Sequence, residues 1–228
     1  MKKLLALFFC LMATFSSFAQ DKRPLIKLSP LPLIDIFSFP TIQGGFEFLI
    51  TRKISWYNEF GIRYMKEYDK PDTSFVVPSG FKAKTEFRYY LGKSFGPKLT
   101  SQLEGFYVAV NFFYIKDVHN TSIRYYYQKD STVKVGDDFG VRKTIWGGNF
   151  LGGYQLAHGK RIMVEMYVGV GVRFRDIITE NKEYVYKRDE LVRAIDLTVA
   201  GFKYDTESRG GQSVAPNFTL GLRVAFKL

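Results

Sequence analysis

Apolar and polar residues alternate with a period of two along most of the chain. One phase of the C-terminal segment contains Phe218, Leu220, Leu222, Val224, Phe226 and Leu228. The same alternation recurs in five further segments: 42–50, 56–64, 81–91, 106–114 and 161–176. Because successive side chains of a strand point to opposite faces, this period predicts six β-strands.

Two less regular segments bring the predicted set to eight strands. Residues 25–36 contain Pro30 and Pro32, which a strand tolerates only at its end or at an irregularity. Residues 140–157 are rich in glycine. The chain is therefore predicted to be all-β.

The apolar phase of the six regular strands contains no Asp, Glu, Lys or Arg, whereas the opposite phase contains many. Such complete exclusion of charge predicts a continuous apolar environment on one face. Two architectures provide it. A secreted, lipocalin-like barrel buries the apolar face inside, and an outer-membrane barrel turns it towards lipid.

The lengths of the predicted links favour the membrane barrel. They are 37–40, 51–54, 66–80, 92–102, 116–139, 157–160 and 177–213. From the second link onwards, shorter and longer links alternate, as periplasmic turns and external loops do in outer-membrane barrels. We predict an eight-stranded antiparallel up-and-down transmembrane β-barrel, filled rather than porous, with both termini in the periplasm.

Two of the long links carry patterns of their own. Residues 123–127 and 133–135 are predicted to pair as a hairpin that extends the fifth and sixth strands beyond the membrane. Leu191, Val192 and Ile195 have helical spacing within residues 188–197.

The N-terminus has the three parts of an export signal. Lys2 and Lys3 precede an apolar stretch from Leu4 to Ala13, and Ser17-Phe18-Ala19 supplies a small-x-small cleavage pattern. We predict a signal peptide at 1–19, a barrel domain at 20–228, and the outer membrane of a Gram-negative (diderm) bacterium as the location.

Several motifs in the predicted strands and turns resemble a known family. They are Arg52-Lys53-Ile54-Ser55, Phe87-Arg88-Tyr89-Tyr90-Leu91, Gly152-Gly153-Tyr154, His158-Gly159-Lys160-Arg161 and Val168-Gly169-Val170-Gly171. With the signal peptide and eight strands, the chain resembles an uncharacterised family of Bacteroidota outer-membrane β-barrels. That family is similar in architecture to the small OmpA-type barrels. The resemblance implies a fold and a location, and it implies no reaction.

The composition and charge of the chain limit the classes of partner and cofactor that we expect. The chain has 228 residues, 33 Lys and Arg against 22 Asp and Glu, two His and one Cys. Because the single Cys, Cys10, is removed with the predicted signal peptide, we expect no disulfide. Only two His are present, so we also expect no metal site, and we expect no cofactor. The cations gather at the predicted periplasmic rim, for example at Arg52, Lys53 and Arg161. We therefore expect outer-membrane lipids, lipopolysaccharide and the barrel-assembly machinery as partners, with an unknown external ligand and no nucleic acid.

A cluster of cations is predicted at the external mouth of the barrel. It consists of Arg63, Lys82, Lys84, Arg142, Lys143, Arg173 and Arg175. These residues could pair internally with Glu59, Glu86, Asp137, Asp138 and Asp176 to fill the interior. Alternatively, they could bind an anion or lipopolysaccharide, and Arg142, on the lipid-facing phase, suits a lipid phosphate best.

His119 is the one weak catalytic candidate. Asp117 and Ser122 lie close to it in the sequence, and outer-membrane enzymes that modify lipid A use His, Ser and Asp. An ordinary loop histidine is the favoured interpretation. The predicted function is accordingly non-enzymatic, with a structural, adhesive or ligand-binding role for the external loops. The alternatives are a lipid A-modifying enzyme and a secreted lipocalin-like barrel.

Overall fold

The structure, a computed structural model, describes residues 24–34, 39–64, 75–91, 103–128, 134–159, 161–191, 207 and 209–227. The predicted signal peptide at 1–19 lies outside this part of the chain. The strands are β1 (Leu25–Ser29), β2 (Thr41–Leu49), β3 (Ile54–Arg63), β4 (Ser79–Tyr90), β5 (Gly105–Tyr126), β6 (Lys134–His158), β7 (Ile162–Glu180), β8 (Glu190–Leu191) and β9 (Gly211–Lys227). A short 3-10 helix, Leu31–Ile34, follows β1.

The described strands form one antiparallel sheet that closes in a ring. Each of β1 to β6 pairs with the next strand in the chain, and β7 pairs with β9. The ring closes where β1 pairs with β9, so that Leu25 lies opposite Lys227. Eight strands make up the ring, and the two-residue β8 pairs with β5 at Tyr125 and Tyr126.

The two ends of the ring differ. At one end, here called the turn end, β2 connects to β3 and β6 to β7 by tight turns. The Thr51 hydroxyl accepts a hydrogen bond from the Ile54 backbone, and Gly159 takes a φ of 72°. At the opposite end, here called the extended end, β5 and β6 continue as a paired ribbon to Tyr126 and Lys134.

The predicted strands agree with β2, β3 and β4 within two residues at each end. The expected first strand, 25–36, is wrong from Pro30 to Ile34, where Pro30 and Pro32 interrupt it and a 3-10 helix follows; residues 35 and 36 lie outside the described part of the chain. The long link expected at 116–139 is largely strand, and the hairpin predicted within it is confirmed. The helical spacing at 188–197 does not produce a helix at Leu191, which belongs to β8.

The outer face of the ring is apolar and exposed. Strand β7 illustrates this arrangement, because Met166, Val168 and Val170 are each more than half exposed. Residues of the opposite phase point into the ring and are mostly buried. Among the described residues, no helix is long and apolar enough to cross a membrane.

Two apolar clusters lie inside the fold, one towards each end. The first, near the turn end, contains Leu25, Tyr90, Leu103, Tyr107, Ala109, Leu151, Met163, Tyr167 and Ala225. The second supports the extended end and contains Ile123, Tyr125, Phe139, Val141, Ile177 and Tyr184. A layer of charged side chains occupies the interior beside the first cluster.

Candidate functional site

A balanced layer of charge fills the ring interior. Four carboxylates and four cations meet there: Glu47, Glu59, Glu86, Glu165, Lys27, Lys84, Arg88 and Arg223. They come from β1, β2, β3, β4, β7 and β9, and all lie on the inward phase of their strands. We call this set the central network.

Two arginines connect the members of the central network. Arg223 contacts Glu59 at 2.9 Å, Glu86 at 2.6 Å and Glu165 at 2.7 Å. Arg88 contacts Glu47 at 3.2 Å, Glu86 at 2.5 Å and Glu165 at 3.0 Å. Because Glu86 and Glu165 each pair with both guanidinium groups, the two arginines are bound into a single network.

The lysines of the network extend it to neighbouring walls. Lys27 pairs with Glu47 at 2.6 Å and with Glu165, and Lys84 pairs with Glu59 at 2.8 Å. A buried carboxylate or ammonium is costly unless it is paired and hydrogen-bonded. Every charge of the network meets that condition.

Tyrosine rings separate and cover the two guanidinium groups. Tyr57 lies between them, with Arg88 at 4.5 Å and Arg223 at 4.4 Å from its ring centroid. Tyr107 covers the other side of Arg88, and Tyr167 lies 4.0 Å from Arg223. These cation–π contacts add to the ion pairs. The side chains of Arg88 and Arg223 are 0% exposed, so the interior is filled at this level.

The predicted mouth cations do not form one cluster. Lys84 belongs to the central network. Arg142 points outwards and pairs with Glu180 near the extended end. The other five face inwards nearer the extended end: Arg63, Lys82, Lys143, Arg173 and Arg175.

Three of these five cations have clear partners. Arg63 pairs with Asp117, and Lys143 lies 3.3 Å from Glu207. Lys82 donates a hydrogen bond of 3.0 Å to the Phe39 carbonyl and also lies over the Phe39 ring. These contacts fix the positions of the three side chains in the part of the interior nearer the extended end.

Arg173 and Arg175 differ from them. In the part of the chain that the structure describes, neither has an ion pair, and the Nε atom of each is buried without a hydrogen-bond acceptor. Both side chains are half-buried.

The expected acidic partners of the mouth cluster are confirmed only in part. Glu59 pairs with Lys84 of the predicted mouth cations, whereas Glu86 pairs with Arg88 and Arg223, which are not among them. Asp137 instead accepts hydrogen bonds from the backbone N–H groups of Glu183 and Tyr184. Asp138 accepts one from Ser122. These two acids therefore anchor the extended end rather than neutralise the interior.

His119 is buried on the inward phase of β5, between two carboxylates. Its Nδ1 lies 3.3 Å from Asp117 and its Nε2 lies 3.3 Å from Glu207. Burial alone would lower the pKa of His119, but the two adjacent carboxylates, Asp117 and Glu207, raise that pKa to about 9. His119 is therefore an imidazolium at neutral pH, paired with Asp117 and Glu207.

The candidate catalytic group of His119, Asp117 and Ser122 does not assemble around a nucleophile. Asp117 contacts the imidazole, but Ser122 is exposed and donates its hydroxyl hydrogen bond to Asp138. Proximity in the sequence was misleading because alternate residues of β5 point to opposite faces.

Asn120, in the part of β5 near the extended end, binds the chain that precedes β4. Its Oδ1 accepts hydrogen bonds from the backbone N–H groups of Phe75, at 2.9 Å, and Val76, at 3.1 Å. Its Nδ2 donates to the Val76 carbonyl at 2.8 Å. The chain before β4 is thereby fixed against the outside of the extension.

Several residues of these sites are not predicted by the sequence pattern. Lys27, Glu47, Arg88 and Glu165 were not among the candidates, although the inward phase that contains Glu47, Arg88 and Glu165 was visible as a pattern. Glu207 carries no local signal, because it meets His119 across 88 positions of sequence.

Among the described residues, no group of three or more His, Cys, Asp or Glu side chains is placed to hold a metal ion. A comparison with models of known protein families finds no match, and a comparison with curated proteins finds none either.

Proposed function

We propose that this chain is an integral outer-membrane protein in which the ring of eight strands is a transmembrane β-barrel. Its turn end and termini face the periplasm, and its extended end faces the outside. The central network makes it a filled barrel. Its role is non-enzymatic, and the extended end serves structural, adhesive or ligand-binding purposes in contact with outer-membrane lipids and lipopolysaccharide.

The observation that carries this proposal is the distribution of polarity across the sheet. Phe150, Phe218 and Leu220 lie on the outer face and are each more than 70% exposed, whereas the interior holds the eight charges of the central network. A soluble barrel has the opposite arrangement. An exposed apolar surface that encircles a sheet far exceeds the few hundred Å² usual on a soluble monomer.

The height of the apolar band agrees with the proposal. On β5 the exposed apolar side chains run from Phe106 to Tyr114, and Lys116 is the next exposed residue. A tilted strand needs roughly 9–11 residues to cross the hydrocarbon layer. The remainder of β5, from Asp117 to Tyr126, then projects beyond the membrane together with its partner on β6.

The protonation state of His119 does not favour its use as a general base. A general base must be unprotonated at the working pH, whereas His119 has a pKa of about 9 and is bound by two carboxylates. The alternative, a lipid A-modifying enzyme, predicts altered lipid A when the gene is present. Mass spectra of lipid A from cells with the parent gene, a His119→Ala gene and no gene separate the two functions, and identical spectra support the non-enzymatic role.

The membrane assignment is tested by cell fractionation and gel mobility. A closed, hydrogen-bonded sheet without edges resists SDS until it is boiled. We expect the protein in the outer-membrane fraction and a faster-migrating band before heating. Recovery in the soluble periplasm with the same mobility before and after heating would overturn the assignment and favour the lipocalin-like alternative.

A further inference from the structure

We propose that Arg173 and Arg175 form a binding site for an oxyanion of the phosphate class, within the ring interior at its extended end. The site lies between β7 and β9 and is lined by Arg173, Arg175, Ser213 and Ala215, with Asn217 at its inner end. We call it the arginine vestibule. The proposal rests on the membrane assignment only for the direction of entry, which is from outside the cell.

The two arginines are arranged to converge on one ligand. They occupy positions i and i+2 of β7, so both point inwards, with Cα atoms roughly 7 Å apart. In the described part of the chain, both Nε atoms are buried without an acceptor. A buried donor is normally satisfied, and an exogenous oxyanion satisfies two such donors at once.

Other arginines of the ring interior provide the contrast. Arg63, Arg88 and Arg223 each contact a carboxylate of the protein. Glu207 attracts Arg175 but does not lie within ion-pair distance of it. The Nε atom of Arg63 is also buried without an acceptor, but Arg63 has a carboxylate partner; among the described arginines of the ring interior, Arg173 and Arg175 have none.

The β9 neighbours of Arg173 and Arg175 are small and partly exposed. Arg173 is paired across the sheet with Gly147 on β6 and Ala215 on β9, and Arg175 is paired with Ser213 on β9. On the same face of β9, Ser213 is exposed, and Ala215 and Asn217 are only partly buried. Water and small solutes therefore reach this wall of the interior.

Below the vestibule the interior is closed. Asn217 donates a hydrogen bond of 2.7 Å to Asn149, and Asn149 donates one of 2.8 Å to Asn111. Further down β9, Arg223 and Ala225 are 0% exposed. A solute that enters from the extended end consequently stops at the level of the two arginines.

The charge at this level favours an anion. Among the described residues of this level, five inward cations and one imidazolium face two inward carboxylates, Asp117 and Glu207, whereas the central network is balanced. Excess positive charge in a recess with low-dielectric walls concentrates anions. Two planar guanidinium groups match a tetrahedral oxyanion with several acceptor oxygens, and phosphate supplies both the charge and the geometry.

The site is tested by titrating the purified mature chain, folded in detergent, with inorganic phosphate. Isothermal titration calorimetry at constant ionic strength should detect one phosphate per chain, and chloride should not compete. The Arg173→Gln/Arg175→Gln double variant should bind at least tenfold more weakly. Arg142→Gln is the matched control, because it removes an outward arginine near the same end and should leave phosphate binding unchanged.

A second variant guards against a folding defect. Ala215→Glu places a carboxylate next to Arg173 and should fill the vestibule from within. It should keep the heat-dependent gel mobility of the parent and lose phosphate binding. Absence of phosphate binding to the parent, or equal binding by the folded double variant, would overturn the proposal. Such results would mean that a group of the chain itself already occupies the two arginines.

Two sources of phosphate remain to be distinguished. The protein is reconstituted into phosphatidylcholine vesicles with and without lipid A, and inorganic phosphate is titrated again. If the headgroup of lipid A is the natural occupant, lipid A blocks the titration. If a free phosphate compound is the occupant, lipid A leaves it unchanged. The detergent titration involves no bilayer, so its outcome is separate from that of the fractionation experiment.

Discussion

Arg223 donates a hydrogen bond of 2.6 Å to Glu86 across the width of the ring. Arg223 lies on β9 and Glu86 on β4, and these strands are four places apart whichever way the ring is followed. The pair therefore joins opposite walls. Because Arg223 also contacts Glu59 and Glu165, it connects three walls of the interior to β9.

The first prediction concerns the removal of this connection. Arg223→Leu leaves four carboxylates facing three cations in a buried site. Breaking a buried ion pair by deleting one partner costs roughly 3–5 kcal/mol. We expect a loss of this size in the free energy of unfolding, measured by urea titration of the refolded protein with tryptophan fluorescence from Trp56 and Trp146.

Arg142→Leu is the control for the loss of an arginine. Its partner, Glu180, is partly exposed, and the Arg142 side chain is 51% exposed. Exposed ion pairs contribute little to stability, so this variant should unfold close to the parent. Equal stability of the Arg223 and Arg142 variants would mean that the central network does not hold the walls together.

The sequence was sufficient to predict the strands but not the network. Alternation alone located β2, β3 and β4, because a period of two is a local property. The pairing of Arg223 with Glu86 depends on the closure of β1 against β9, which brings together residues 137 positions apart. No local pattern encodes that distance. The pattern failed at β1, where Pro30 ends the strand, and in β5, where polar side chains continue the strand beyond the apolar band.

The second prediction tests the outer face. Val168 is 59% exposed and lies midway along the apolar band of β7. If that band is in hydrocarbon, Val168→Arg should destabilise the protein by roughly 2–4 kcal/mol, the cost of a cation at the bilayer midplane. The measurement is the free energy of unfolding after refolding into lipid vesicles.

Val77→Arg is the matched control, because Val77 is 85% exposed but lies outside the apolar band, beside the extended end. It should fold as well as the parent. If Val168→Arg also folds equally well, Val168 is not in lipid and the outer face must be reassigned to water or to a protein partner.

The third prediction concerns Asn120. Asn120→Ala removes three hydrogen bonds to the backbone of Phe75 and Val76. The segment before β4 should exchange its amide hydrogens faster and become sensitive to protease, while the ring keeps its resistance to SDS. Ser122→Ala, which removes one exposed contact with Asp138, should change neither property. If the amide hydrogen of Val76 exchanges as slowly in Asn120→Ala as in the parent, the Asn120 side chain does not fix this segment.

The arginine vestibule also illustrates what the sequence can predict about a site. Arg173 and Arg175 were candidates because they share the inward phase of β7. Their lack of carboxylate partners among the described residues could not be predicted, because it depends on which acids the register of the strands brings near. Asp137 and Asp138 were expected to neutralise them. Instead, Asp137 accepts a hydrogen bond from the Tyr184 backbone, and Asp138 accepts one from the Ser122 hydroxyl. Which acid pairs with which cation is thus decided by the strand register of the closed sheet rather than by the composition of the chain.

The last prediction is a pH dependence that originates at His119. Its folded-state pKa of about 9 lies above the ordinary value of 6.5. A raised pKa means that the contribution to stability is complete below about pH 6.5 and is lost as the pH rises through 9. The difference corresponds to on the order of 3 kcal/mol.

Urea unfolding of the refolded protein between pH 6 and pH 9.5 measures this effect against a His119→Gln variant. The parent should lose stability as the imidazolium between Asp117 and Glu207 gives up its proton, because two buried carboxylates then share one cation fewer. The variant carries no titrating group at this position, so its stability should be flatter over the same range and should lie below the parent at pH 6. The two curves should converge near pH 9.5. Parallel curves for parent and variant would show that His119 is not the titrating group, and the carboxylate pairing described for it would have to be abandoned.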